Sequence, residues 1–178
     1  MIESQRLVLR VPEAGDLVWQ IAELNSAAVM RHLGGPRDEP AIAASFAKDR
    51  AALLNGDYGF WTVALRETGE PIGKCGLALI YTQAAPEEIR GGVQIGWTLA
   101  ERFWGHGYAS EAAQAVIAHG FDVLGLPAIW SQTSDSNPAS TRVMAKLGFE
   151  RCAALDYTDA DYPPEDNPTT VYRITRKS

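Results

Sequence analysis

Apolar and polar residues alternate along the chain in two periods, which separates short strands from amphipathic helices. Ala109, Ala112, Ala113, Val116, Ile117, Gly120 and Leu124 recur at i, i+3, i+4 spacing, so the segment near 107–124 reads as a helix that buries one face. Ser110 and Glu111 in its first turn suit the helix dipole, and Gly125 with Pro127 stops it. Before it, Val93 to Leu99 is rich in β-branched and aromatic residues and reads as a strand. The same reading along the chain predicts a strand near 5–11, helices near 14–23 and 39–54, and strands near 60–66, 71–82 and 91–99. After the helix near 107–124 it predicts a strand near 128–133, a helix near 138–147, and closing strands near 149–157 and 169–176. The strands between 60 and 99 read as an antiparallel meander, and later elements alternate helix with strand. The expected fold class is α/β, a single domain with a mixed, mostly antiparallel sheet of about seven strands and helices on both faces.

The stretch Arg102-Phe103-Trp104-Gly105-His106-Gly107-Tyr108-Ala109-Ser110-Glu111 sits between the strand and the helix. Two glycines one residue apart, just ahead of a helix, leave backbone N–H groups free to close around an anion. A plain tight turn explains the glycines equally well at this stage. The dinucleotide fingerprint needs a third glycine where Ser110 stands, and the NTPase loop needs a Lys-Ser/Thr pair that is missing.

Arg102-x-x-Gly105-x-Gly107 resembles the acetyl-CoA pyrophosphate loop of the GNAT N-acetyltransferase superfamily. Asn137-Pro138-Ala139-Ser140 followed by Lys146-Leu147-Gly148-Phe149 is similar to a segment of its ribosomal-protein N-alpha-acetyltransferase branch. So are Ser4 to Arg10 with Asp16-Leu17, and Gly69 to Gly73. The resemblance implies a GNAT-like fold and acetyl-CoA as acetyl donor. It places the pyrophosphate on the N–H groups of His106, Gly107, Tyr108 and Ala109, with Gly105 and Ser110 beside them and Arg102 at the edge. It sets the pantetheine arm along the backbone of Trp97, Thr98 and Leu99, where an N–H is also the natural oxyanion donor. Gly96 in that strand suits a bulge or a close backbone approach. Asn137 and Lys146 complete the expected cofactor contacts.

For chemistry, Asn137 before Pro138 reads as a helix N-cap and Gly148 as a C-cap. Ser140, three residues on, shares the face of Asn137; the two are the candidate catalytic residues, with Ser140 the donor to the departing thiolate and an ordinary first-turn serine the alternative. Two departures from the family pattern stand out. Met144 occupies the position of the family's tyrosine acid. Gln94 occupies that of a glutamate base, and an amide takes up no proton at pH 7. Glu101, Glu111, Asp135 or a water chain are the possible substitutes.

Composition narrows the class further. A chain of 178 residues with 46% hydrophobic content suits one domain with an ample core. No apolar run approaches the ~20 residues of a membrane span, and no basic-then-apolar leader opens the sequence, so a soluble, cytoplasmic protein without membrane partners is expected. Cys75 and Cys152 show no metal-ligand spacing and read as reduced core thiols, and the three histidines are too dispersed to suggest a metal site. A net charge of −6 argues against nucleic acid, while Arg102, His106, Arg142 and Lys146 concentrate around the expected cofactor loop. The aromatic residues Trp19, Tyr58, Phe60, Trp61 and Trp130 read mainly as core, with Tyr172 a possible acceptor-pocket residue. Asp156, Asp159, Asp161, Glu165 and Asp166 form either a solvated loop or a device that draws in a cationic acceptor. The expected activity is direct acetyl transfer to a primary amine, either a protein N-terminus or a small amine such as a polyamine, amino acid or antibiotic. A non-catalytic acyl-CoA-binding module is the rival, and either monomer or homodimer is compatible.

Overall fold

In the computed structural model, which describes residues 1–176, the apolar runs pair into one sheet of eight strands. These are β1 (Ile2–Glu3), β2 (Leu7–Arg10), β3 (Phe60–Leu65), β4 (Pro71–Leu79), β5 (Val93–Leu99), β6 (Ala128–Ser134), β7 (Glu150–Arg151) and β8 (Thr169–Thr175). The helices are α1 (Ala14–Leu24), α2 (Ala27–Met30), α3 (Glu39–Leu54), α4 (Tyr108–Asp122) and α5 (Pro138–Leu147). The strand order is β1-β2-β3-β4-β5-β6-β8-β7, antiparallel throughout except for β5 and β6, which run parallel. The mixed α/β architecture follows the expectation, with one more strand than the count of about seven. The extra strand, β1, is two residues long, too short for a period to register.

Helix α4 lays Ala112, Ala113, Val116, Ile117 and Phe121 on one face of the sheet against Cys75, Leu77 and Ile95. Those β4 and β5 residues sit at odd positions, so the even positions Lys74, Gly76, Gln94, Gly96 and Thr98 face the other side. On that side α1 and α3 cover only part of the sheet, and a cavity remains. Cys75 is fully buried and Cys152 partly so, both as free thiols.

The expected strand 149–157 shrinks to Glu150–Arg151. Beyond it the carboxylate of Asp156 accepts the Val171 N–H at 2.9 Å, taking a place a backbone carbonyl would hold, and the chain turns at Ala153–Leu155. The short α2 also escaped the periodicity argument; its signal is Ser26, whose hydroxyl caps the Val29 N–H at 3.2 Å.

The sheet and α1 are locked by Asp16. Arg10 grips its carboxylate in a fork at 2.6 and 2.9 Å, while Thr62 Oγ1 and the Glu13 N–H donate to it at 2.9 and 2.8 Å. Burial raises the Asp16 pKa, and these four donors outweigh that effect and hold it below the usual carboxylate value. Asp16→Asn leaves part-buried Arg10 with only the exposed Glu13 carboxylate, 3.8 Å away, and should cost about 3 kcal/mol in urea unfolding at pH 7. Because the folded-state pKa is depressed, this contribution is complete above the unfolded value of about 3.9 and is lost as pH falls through the folded one. The gap between wild type and variant should therefore close under acid; a gap that survives unchanged at pH ~2 would contradict the assignment.

Candidate active site

The site begins where β5 and β6 separate. Their ladder registers a single pair, Gln94 opposite Trp130. On the other edge of β5, the Ala100 N–H donates to Ile72 and the Ile80 N–H donates to Gly92, each at 3.0 Å. This phase gives Thr98, Gly96 and Gln94 to the β4 ladder and turns the N–H and C=O groups of Ile95, Trp97 and Leu99 toward β6. The Ile95 carbonyl accepts Ser131 Oγ at 3.3 Å, and the Leu99 carbonyl accepts the Trp104 indole N–H at 2.8 Å. The Trp97 N–H and C=O and the Leu99 N–H thus open onto a cleft. Thr98, expected to contribute backbone, instead has its backbone committed to Lys74; what it presents is a side chain on the cavity face. Gly96 carries no bulge. It is a close approach, since a Cβ there would meet the Phe60 ring at 3.2 Å.

At the end of the cleft α4 starts without a side-chain cap. Its N-cap, Gly107, has φ 81, and Gly105 has φ 78, both in the left-handed region that favours glycine. Among the described residues, none of the N–H groups of Gly105, His106, Gly107, Tyr108, Ala109 and Ser110 donates to another protein group; the first to do so is Glu111, to the Gly107 carbonyl. Six consecutive unpartnered amides at the positive end of a 15-residue helix form an anion cradle. Tyr108 stacks on His106 at 5.6 Å between centroids and carries the Arg6 guanidinium at 4.5 Å.

Glu111 braces this loop. Its carboxylate accepts Ser4 Oγ at 2.8 Å and both the backbone N–H and Nε of Arg6 at 2.7 Å. Burial raises its pKa, and these donors outweigh that and lower it, so it is a poor proton acceptor. Arg102, expected at the phosphate edge, is held by Glu23 and, at 3.2 Å, by Glu70. A guanidinium shared between two carboxylates is already satisfied, which explains why it does not turn to the cradle. Lys146 is exposed in the last turn of α5, at the opposite end of that helix from Asn137.

The caps of α5 are as expected: Asn137 Oδ1 accepts the Ser140 N–H at 3.1 Å, and Gly148 adopts φ 83. Asn137 and Ser140 both line the cavity, of about 710 Å³, and the Ser140 hydroxyl has no partner among the described residues. Met144, in the family's acid position, lies buried beneath them. Gln94 is not idle: its Oε1 accepts Gln132 Nε2 at 2.7 Å, and Tyr157 donates its hydroxyl to Gln132 Oε1. Burial, first, and the Asp159 charge push the Tyr157 pKa up to about 12, so it stays a protonated donor.

The candidate substitutes for the missing base are elsewhere. Glu101 accepts Ser26 Oγ at 2.7 Å, and Asp135 pairs with Arg151 at 3.0 Å, both outside the cavity, and Glu111 braces the loop. The cavity instead holds His32, whose Nδ1 lies 2.9 Å from Asp166 Oδ1. The acidic segment is partly tied down, while the side chains of Asp161 and Glu165 are exposed and unpaired among the described residues. Asp156 pairs with Arg151 at 2.6 Å, Asp166 binds His32 and Ser136, and buried Asp159 accepts the Asp161 N–H at 3.1 Å. Asn167 ties the loop by donating to the carbonyls of Asp159, Tyr162 and Pro163, each at 3.1 Å. Tyr172 lies outside the cavity, beneath Arg151. His32, Gln132 and Tyr157 come from separate elements with no shared spacing, so no sequence signal joined them.

Among the described residues no helix is long and apolar enough to cross a membrane. The family described as acetyltransferase (GNAT) domain matches residues 6–150. An uncharacterized N-acetyltransferase, YoaA of Bacillus subtilis, is 31% identical over 99% of this chain and 97% of its own length. A crystal structure of an acetyltransferase from Agrobacterium tumefaciens superposes with TM-score 0.77 at 30% identity, covering 98% of this chain and 94% of that one. A ribosomal L7/L12 alpha-N-protein acetyltransferase in complex with coenzyme A shares the fold at TM-score 0.74 and 18% identity, over 97% and 95% of the two chains. The chain belongs to the GNAT family of acetyltransferases.

Proposed function

We propose that the protein transfers the acetyl group of acetyl-CoA directly to a primary amine, on the strength of one observation: a row of unpartnered amides that continues into a cleft with an open strand edge. The free N–H groups of residues 105–110 fit a pyrophosphate, and the Trp97 N–H and C=O with the Leu99 N–H fit a chain of amides lying as an added strand. Arg6, which donates to the His106 carbonyl at 3.1 Å, holds the cradle in shape. When bound, the thioester supplies the acetyl group.

The chain's own groups then serve three needs. A backbone N–H at Trp97 or Leu99 stabilises negative charge developing on the thioester oxygen. The free Ser140 hydroxyl donates a hydrogen bond to the departing sulfur and relays to it the proton that the newly acetylated nitrogen gives up, so that coenzyme A leaves as the thiol. His32 keeps the acceptor amine neutral: the carboxylate of Asp166 fixes Nδ1 as the protonated nitrogen, which leaves the lone pair on Nε2. Gln94, held by Gln132, orients the acceptor rather than deprotonating it. A free cavity hydroxyl and a His–Asp pair favour catalysis over mere acyl-CoA binding, and neither is needed for a binding module.

Release of coenzyme A from acetyl-CoA should depend on added amine in a panel of peptides, amino acids and polyamines, and Ser140→Ala should lower kcat by about tenfold or more with little change in acetyl-CoA affinity. Binding of acetyl-CoA without turnover of any amine would favour the binding-module reading. For His32→Gln the expected loss in kcat is about a hundredfold, again at unchanged acetyl-CoA affinity; a variant as active as wild type would assign deprotonation to water alone.

A further inference from the structure

The same cavity carries two cations that acetyl transfer itself does not use. Lys74 stands on β4 directly opposite Thr98, on the face that looks into the cavity. Its Nζ makes no hydrogen bond or ion pair among the described residues and lies 5.4 Å from the centre of the Phe60 ring. Burial lowers its pKa, Asp49 opposes the shift through space, and Arg37 adds to it. Arg37 sits at the mouth of the cavity with its backbone clamped by Asn25 at 2.8 Å on both sides. Its guanidinium spends one N–H on the Ala41 carbonyl at 3.2 Å and has no acidic partner among the described residues.

Lys74 is part-buried, and Asp49 of α3 acts on it through space without a hydrogen bond, so its ammonium donors are left for a ligand. The wall formed by the loop before β8 carries Asp159, Asp161 and Asp166, whereas Lys74 on β4 and Arg37 before α3 supply the cations, with Asp49 of α3 acting on Lys74 through space. A polyamine would put its charges against Lys74 and Arg37, and a dianion such as phosphate would face three carboxylates. A molecule with one amine and one carboxylate suits both walls.

We infer that Lys74 and Arg37 bind the carboxylate of the acceptor, which makes the substrate class an amine that carries a carboxylate, of amino-acid type. The inference rests on the acetyltransferase reading above. With the carboxylate on Lys74 and Arg37, the amine is left to face the cleft at Trp97 and the imidazole of His32. Charge-assisted hydrogen bonds to a partly desolvated ammonium and guanidinium provide the selectivity.

The test compares free amino acids with their carboxamides and with spermidine in coenzyme A release, and titrates the N-acetylated acids and amides into the coenzyme A complex by calorimetry. Wild type should prefer acids over amides by about tenfold or more in kcat/KM and in product affinity. Lys74→Met should erase that preference, Lys74→Arg should restore part of it, and acetyl-CoA affinity should stay the same in both. A purely structural lysine would change stability without changing the acid-to-amide ratio. The inference is overturned if amides or spermidine are preferred, if no acid is bound or turned over by a protein that binds acetyl-CoA, or if Lys74→Met keeps the preference. Failure to bind acetyl-CoA at all would instead remove the acetyltransferase reading, and this inference with it.

Discussion

Two parallel strands in the middle of a sheet stop pairing after one registered position, and the candidate site depends on that separation. Had β5 and β6 continued their ladder, the Trp97 amide would be consumed and the cleft closed. Side chains stand in for the missing backbone bonds: Ser131 on the Ile95 carbonyl and Trp104 on the Leu99 carbonyl. Each satisfies one orphaned group without drawing the strands together. The amides left over are the ones a ligand chain of amides can use.

The anion cradle continues the same logic at the helix end. Gly105 and Gly107 take left-handed conformations that place the N–H groups side by side, and the absence of a capping side chain leaves them unclaimed. Such a loop needs outside support, and Glu111 provides it by tying the first turn of α4 to Ser4 and Arg6 beside β2. That contact spans 105 positions of sequence between Arg6 and Glu111, which is why Glu111 looked like a simple first-turn carboxylate when read locally.

What was legible in the sequence was whatever a local period or turn residue controls. Helix α4, both caps of α5 and the glycine loop all follow from residues within a few positions of each other. The fates of Arg102, Thr98 and the acidic segment do not. Arg102 is claimed by Glu23 and Glu70 from two other elements, the role of Thr98 depends on the phase of the β4 ladder, and Asp166 finds His32 from 134 positions away. Strand phase and long-range ion pairs are set by tertiary packing, and a motif reports only that the residues are present. Lys74 shows the same limit, since a lone lysine in a strand carries no mark of lining a cavity with its ammonium unbonded.

Residue-resolved hydrogen exchange tests the open edge most directly. Amides in the middle of a sheet are normally among the best protected. In the free protein the Trp97 amide and those of residues 105–110 should exchange far faster than that of Ile95, and coenzyme A should slow all of them by about tenfold or more at saturation. Trp97 protected like Ile95 without ligand, or exchange unchanged by coenzyme A, would contradict the account.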